Sequence, residues 1–237
     1  MVNHQKSNRE ALIAASRRAA EPIVAELAQL GFQLEGVSDL YKRLRPAEYE
    51  ADGKTLKIER MSDLYREPID YRVAIPVLIK WLPLVNDIAV KTELVRALST
   101  KWAKPEAAQP LIEEFRKAPM EKVSFKWAIG NALSEVADAT VFDEVAELVR
   151  DKQHGRAREM LAVALANTKA PQAVDILVEL LDDEQIAGHA LMGLRKLAPP
   201  EARGAIERFV DHPKAWVRKE ARRALAKIDK KLVKSGQ

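Results

Sequence analysis

VRKEARRALAKI, residues 217–228, decides how this chain is read, because four other stretches repeat its pattern. They are VKTELVRALSTK from Val90, FKWAIGNALSEV from Phe125, AREMLAVALANT from Ala157 and IAGHALMGLRKL from Ile186. Each opens on a mostly apolar residue, four of the five follow it with a basic one, and the fifth position is apolar. A small residue and a leucine close the pattern at Ala97-Leu98, Ala132-Leu133, Ala164-Leu165, Gly193-Leu194 and Ala224-Leu225. The leucines stand 35, 32, 29 and 31 residues apart. A period near thirty marks a repeat architecture, with room in each repeat for a second helix and two turns.

The second helix is legible upstream of every unit: YRVAIPVLIKWL, EAAQPLIEEFRK, TVFDEVAELVRD, PQAVDILVELLD and PEARGAIERFVD. Pro105, Pro171 and Pro200 suit a first helical turn, where the missing N–H costs nothing. Five helix pairs in register from about residue 70 onward each carry an apolar stripe that none can bury alone, so neighbours must stack.

Val-Arg, an alanine three residues on, then Ala-Leu and an aliphatic, as in VRKEARRALAKI, resembles the HEAT-repeat family. The stretch HGRAREMLAVALANTKAPQAVDILVELLDDE is similar to the bacterial HEAT-like repeats also found in phycobilin lyase-type proteins. The resemblance covers about two thirds of the chain and departs at Ala187 and Gly193, which take the basic and alanine positions of the fourth unit. It implies an all-α fold, a right-handed α-solenoid of about five HEAT-like helix pairs. The expected layout is an N-terminal helical cap over residues 1–32, an irregular arm or insertion over 33–69, and the array over 70–237. Such arrays serve as scaffolds, nucleic-acid clamps and occasionally enzymes, so architecture alone does not assign a function.

The resemblance also explains part of the charge on residues 217–228. The basic residue at the second position of HEAT repeats commonly joins a ladder between repeats. Here Lys91, Lys126, Arg158 and Arg218 occupy it, and Asp87, Asp151, Asp183 and Asp211 are the candidate partners in the turns before them. Arg222, Arg223, Lys227, Lys230, Lys231 and Lys234 are left over. They either solvate a terminal repeat, which needs a polar outer face, or meet an anionic partner. Residues 212–234 carry a net charge of +7 and residues 171–211 a net −4, so the basic balance is largely a property of one end. That distribution argues against a protein that coats nucleic acid along its length.

Before residue 70 the repeat fades. SNREALIAASRRAAEPIVAELAQLGF reads as helical, with Ser7 or Asn8 as N-cap, Pro22 as a break or kink and Gly31 as terminator. SDLY occurs at residues 38–41 and again at 62–65, each serine placed to cap a short helix. Between them Asp52-Gly53 is a turn signal, and Thr55-Leu56-Lys57-Ile58 alternates as a strand does. A small β-hairpin or ordered arm is the expectation, an unstructured insertion the competing one. Interruptions of this length tend to be functional, which makes residues 33–69 a place to look for partner specificity.

Composition narrows the function classes. The chain has 237 residues, no cysteine and a palette rich in helix formers, which excludes disulfides and thiolate chemistry. No apolar stretch approaches a membrane span or a secretory leader, so a cytoplasmic protein is expected. His4, His154, His189 and His212 are followed by Gln5, Gly155, Ala190 and Pro213. The His-Glu pairs of the HEAT-like di-iron hydroxylases are therefore missing, and no metal, cofactor or catalytic residue is expected. HEAT-like DNA glycosylases use aromatics and an acid on a basic groove. Trp81, Trp102, Trp127 and Trp216 supply aromatics, but no specific motif matches.

What remains is surface. With 100° per residue, the apolar positions of the second helix cluster on one side and leave three positions opposite. Across the repeats these positions give a groove with an apolar centre of Trp127, Val163 and Met192, with Arg96, Asn131, Arg195, Lys219 and Arg223 around it. In HEAT-like arrays that helix generally lines the concave face. Aromatic, Met and Arg side chains are what protein interfaces concentrate. The expected function is a non-enzymatic scaffold whose groove recognises a protein or peptide. A nucleic-acid-binding clamp using the basic C-terminal repeat is the alternative. The competing structural reading covers the groove with the N-terminal arm, or turns Trp127 into the core.

Overall fold

The computed structural model describes residues 2–33, 55–67 and 69–235. Among the described residues the protein is all-α apart from one two-residue strand pairing, and its contacts divide it into two compact units, residues 1–98 and 99–237. The boundary at Leu98 leaves the first of the five repeated pairs in the first unit, with the N-terminal helix.

In the first unit, α1 (Val2–Ala28) precedes strand β1 (Phe32–Gln33), strand β2 (Thr55–Leu56) and the short helix α2 (Asp63–Arg66). The helices α3 (Ile75–Trp81) and α4 (Ile88–Leu98) follow. Helix α1 packs on α3 and α4. It buries Ile23 and Leu27 while its outer side stays wet. Glu26 fixes it to α3, accepting from Lys80 Nζ at 2.7 Å and Trp81 Nε1 at 2.8 Å. Ser16 Oγ fixes it to α4 by donating to Asp87 Oδ2 at 2.8 Å.

Helix α1 continues through Pro22, so of the expected break or kink the break is absent, and Ser7 and Asn8 lie inside the helix. Pro22 sits on the exposed side. There water can bind the carbonyl whose N–H partner proline lacks. Gly31 does end the segment, at φ +63, in the left-handed region that favours glycine.

The alternation in Thr55–Ile58 is real. Leu56 and Ile58 are buried and Lys57 is exposed. The partner strand is Phe32–Gln33, antiparallel, with Phe32 opposite Leu56 and Gln33 opposite Thr55. Asp52-Gly53 and the first SDLY lie outside the described residues. The second SDLY does start a helix, but Ser62 makes no side-chain cap. Asp63 instead turns its carboxylate back onto the preceding turn, accepting from the Glu59 and Arg60 amides at 3.0 and 2.8 Å.

The second unit is eight helices in four consecutive pairs. These are α5 (Ala108–Lys117) with α6 (Val123–Val136), and α7 (Phe142–Arg150) with α8 (Glu159–Thr168). Then come α9 (Ala173–Glu179) with α10 (Ala187–Leu197), and α11 (Arg203–Glu207) with α12 (Ala215–Ser235). The second members form a row: α6 packs on α8, α8 on α10, and α10 on α12. Helix α8 sits inside that row and is apolar almost all round. Met160, Leu161, Ala162, Ala164, Leu165 and Ala166 are all buried. Each such leucine removed from water contributes roughly 1.5–3 kcal/mol.

The repeated small residue now has a reason. Helices α8 and α10 approach so closely that a Cβ on Gly193 would lie 3.0 Å from the Ala162 carbonyl oxygen and 2.9 Å from Leu177 Cδ2. An alanine there would crowd both, so the departure from the repeat at Gly193 is a packing requirement. Pro200 opens a single 3-10 turn as expected of a first-turn proline, whereas Pro105 and Pro171 lie in the turns just ahead of α5 and α9.

The aspartates of the turns have two duties. Asp151 accepts from the Gln153 amide at 2.9 Å and Asp183 from the Gln185 amide at 3.1 Å, each closing its own turn. Asp183 also reaches back one repeat to Arg158, at 2.8 Å, which is where the basic ladder is seen. The pairing thus runs from a basic residue to the aspartate of the following turn, not the preceding one. Arg158 is only 2% exposed and spends its other donors on the carbonyls of Val149 and Gly155. Lys126 takes the same position one repeat earlier. It is fully buried, donates to the Phe115 carbonyl at 2.5 Å and lies 4.4 Å above the Phe115 ring. Burial pulls its pKa down, and the nearby Asp151 charge works the other way. Arg218 makes no ion pair with Asp211 and instead donates to the carbonyls of His212 and Pro213.

Candidate partner-binding face

The expected groove residues divide between the two units. Arg96 belongs to the first, exposed on α4, where its Nη1 meets Glu93 Oε1 at 2.8 Å. Glu93 also accepts from the Tyr65 hydroxyl at 2.5 Å. The other seven, Trp127, Asn131, Val163, Met192, Arg195, Lys219 and Arg223, lie on α6, α8, α10 and α12 of the second unit.

Trp127 is not in the core: it is 38% exposed. Its indole Nε1 donates to Glu159 Oε2 at 3.1 Å, tying α6 to α8. Val163 and Met192 are half-buried, and Lys219 and Arg223 are exposed. Asn131 is held by Ser99, its Nδ2 donating to Ser99 Oγ at 3.2 Å. Arg195 and Arg223 share one carboxylate, Glu220, at 2.9 Å each. The Arg223 contact is a hydrogen bond. The Arg195 Nε contact has the charges adjacent but the N–H aimed elsewhere. Glu220 is thus a member of this face that helix periodicity did not reveal.

A second group extends the face, and its His189 and Trp216 are what periodicity left out. Glu159, almost fully buried, accepts from Arg156 Nε at 2.9 Å as well as from Trp127, and lies 3.9 Å from His189 Nε2. His189 stands against Trp216, with ring centroids 5.5 Å apart and planes tilted by 60°. Trp216 is 46% exposed and lies directly over Gly188, where an added Cβ would fall 1.9 Å from the indole Cη2. The first turns of α6, α8, α10 and α12 therefore carry a continuous row of Trp127, Glu159, His189 and Trp216, with an exposed indole at each end. Gly188 was the available signal, a glycine at a face position where the other repeats have side chains. Burial lowers the His189 pKa against the opposing pull of Glu159, so the imidazole stays neutral at neutral pH.

This face offers flat aromatic area, aliphatic surface at Val163 and Met192, and a basic end at Arg195, Lys219 and Arg223. Among the described residues, no three His, Asp or Glu side chains are grouped so as to hold a metal ion. No described helix is long and apolar enough to cross a membrane. No family model matches the sequence, and no curated protein matches it.

Proposed function

We propose that the chain is a right-handed α-solenoid of HEAT-like helix pairs that works as a non-enzymatic, cytoplasmic scaffold for a protein or peptide partner. The observation that carries this reading is the row on the second helices, where Trp127 and Trp216 keep exposed indoles beside half-buried Val163 and Met192. Exposed tryptophans on a rigid helical frame lose little side-chain entropy on binding, which is why such residues anchor interfaces. The helix-on-helix row of α6, α8, α10 and α12, each backed by a first helix, supports the solenoid part of the reading.

The nucleic-acid alternative draws on the basic α12 alone. A salt-titrated binding assay with a DNA duplex separates the two. The scaffold reading expects weak binding that vanishes at physiological salt, and tight binding with a steep log–log salt slope would replace it.

A further inference from the structure

One side of helix α12 carries an open recess of about 400 Å³ lined by Ala215, Arg218, Lys219, Arg222, Arg223 and Ala226. Four cations thus line one short recess. Only Arg223 has a carboxylate partner, Glu220, which it shares with Arg195. Arg218 and Arg222 donate to main-chain carbonyls, of His212 and Pro213 and of Val210, which orients the guanidinium groups without neutralising them. No carboxylate among the described residues makes an ion pair with Arg218, Lys219 or Arg222.

The repeat explains why this matters. Arg218 occupies in its repeat the position that Arg158 occupies two repeats earlier, and Arg158 is satisfied by Asp183 from the next turn along. Arg218 has the arginine of the same contact, and no carboxylate among the described residues pairs with it. We propose that this cleft docks a short acidic segment of a partner protein, whose carboxylates take the place on Arg218 that Asp183 takes on Arg158. Bidentate guanidinium–carboxylate pairing favours arginine at such a site.

Charge distribution selects the occupant. Residues 212–234 carry a net +7, whereas residues 171–211, which lead up to them through α9 and α11, carry a net −4. A long polyanion running on from the cleft would meet carboxylates, while a short acidic segment would not. The cleft shares Lys219 and Arg223 with the face described above, but its occupancy does not depend on that face being used.

The test uses the full chain and a fluorescein-labelled peptide of alternating Asp and Ala, followed by fluorescence anisotropy. The expected result is binding that R218E/R222E weakens about tenfold or more. K122E/K152E, with the same change in net charge at two exposed sites elsewhere, should leave it intact. Lys219→Glu removes no bond seen in the fold and should weaken binding several-fold even if the double variant melts low. No binding by the wild type, or equal loss in R218E/R222E and K122E/K152E, overturns the proposal. So does tighter binding of a labelled DNA duplex with the same variant sensitivity. Self-association of the chain that R218E/R222E abolishes would assign the cleft to a second copy and likewise overturn it.

Discussion

Arg158 Nη2 lies 2.8 Å from Asp183 Oδ2, and through that contact a buried side chain just ahead of α8 holds the turn that leads into α10. The guanidinium also closes two carbonyls, of Val149 and Gly155, so one residue ties α7, its own turn and the next repeat together. Removing the arginine strips the half-buried Asp183 of its ion pair and leaves the Val149 and Gly155 carbonyls without their donor. Arg158→Ala should destabilise the second unit by about 3 kcal/mol. Arg218→Ala, which loses only half-exposed carbonyl contacts, should cost on the order of 1 kcal/mol. Urea unfolding of the two variants checks the ranking, and equal midpoints would refute the ladder.

The same pair has a pH signature. Burial pushes the Asp183 carboxyl up, but the Arg158 hydrogen bond and the Gln185 amide together hold it below its ordinary value of 3.8. A depressed carboxyl contributes stability above the unfolded-state pKa and loses it as pH falls through the folded one. Acid titration of wild type against the R158A/D183A double variant should show their stabilities converging below about pH 4.

His154 and His189 act at milder acidity. Burial is the main cause that lowers both below 6.5, with Lys126 adding to it at His154 and Glu159 opposing it at His189. The folded unit keeps both neutral while the unfolded chain takes up protons, so stability falls as pH drops below about 6.5. Replacing both with Gln should flatten the melting temperature between about pH 7 and 5. An unchanged slope would show that neither histidine titrates as its burial requires.

In the first unit the sign reverses. The Tyr65 hydroxyl, half-buried and donating to Glu93, is pushed up to about 12 by desolvation and by that bond. The neutral phenol is the form the fold favours, so its contribution is complete below the ordinary tyrosine range near 10 and is lost as pH rises toward 12. Tyr65→Phe should cost about 1 kcal/mol at neutral pH. Denaturant melts at alkaline pH should show that difference shrinking.

Gly188→Ala tests the seat of Trp216. A methyl there overlaps the indole, which must swing away at a cost of about 1–3 kcal/mol. A red shift in tryptophan emission is the expected readout, and an unshifted spectrum would mean the ring does not rest on Gly188.

The helix pairs were legible because their signal is local. Ala-Leu endings such as Ala164-Leu165 mark where helices touch, and that contact constrains both positions in every repeat. Trp127 at the surface followed from helix geometry alone. Glu220 and Trp216 did not, because their roles depend on what the neighbouring helix α10 presents, namely Arg195 and Gly188. Ser62 is an acceptable capping residue by type, but the backbone path leaves it helical and without a cap, while Asp63 turns back to the Glu59 and Arg60 amides. Pro22 was read as a break, yet the helix continues because that position faces water.

The most direct test of the scaffold reading is quantitative affinity capture with the full chain against a Trp127→Ala/Trp216→Ala variant of matched melting temperature. The account predicts a specific protein retained by the wild type, resistant to nuclease, and depleted about tenfold or more on the variant. Identical captured sets from both chains, or a retained species that nuclease removes, would contradict it.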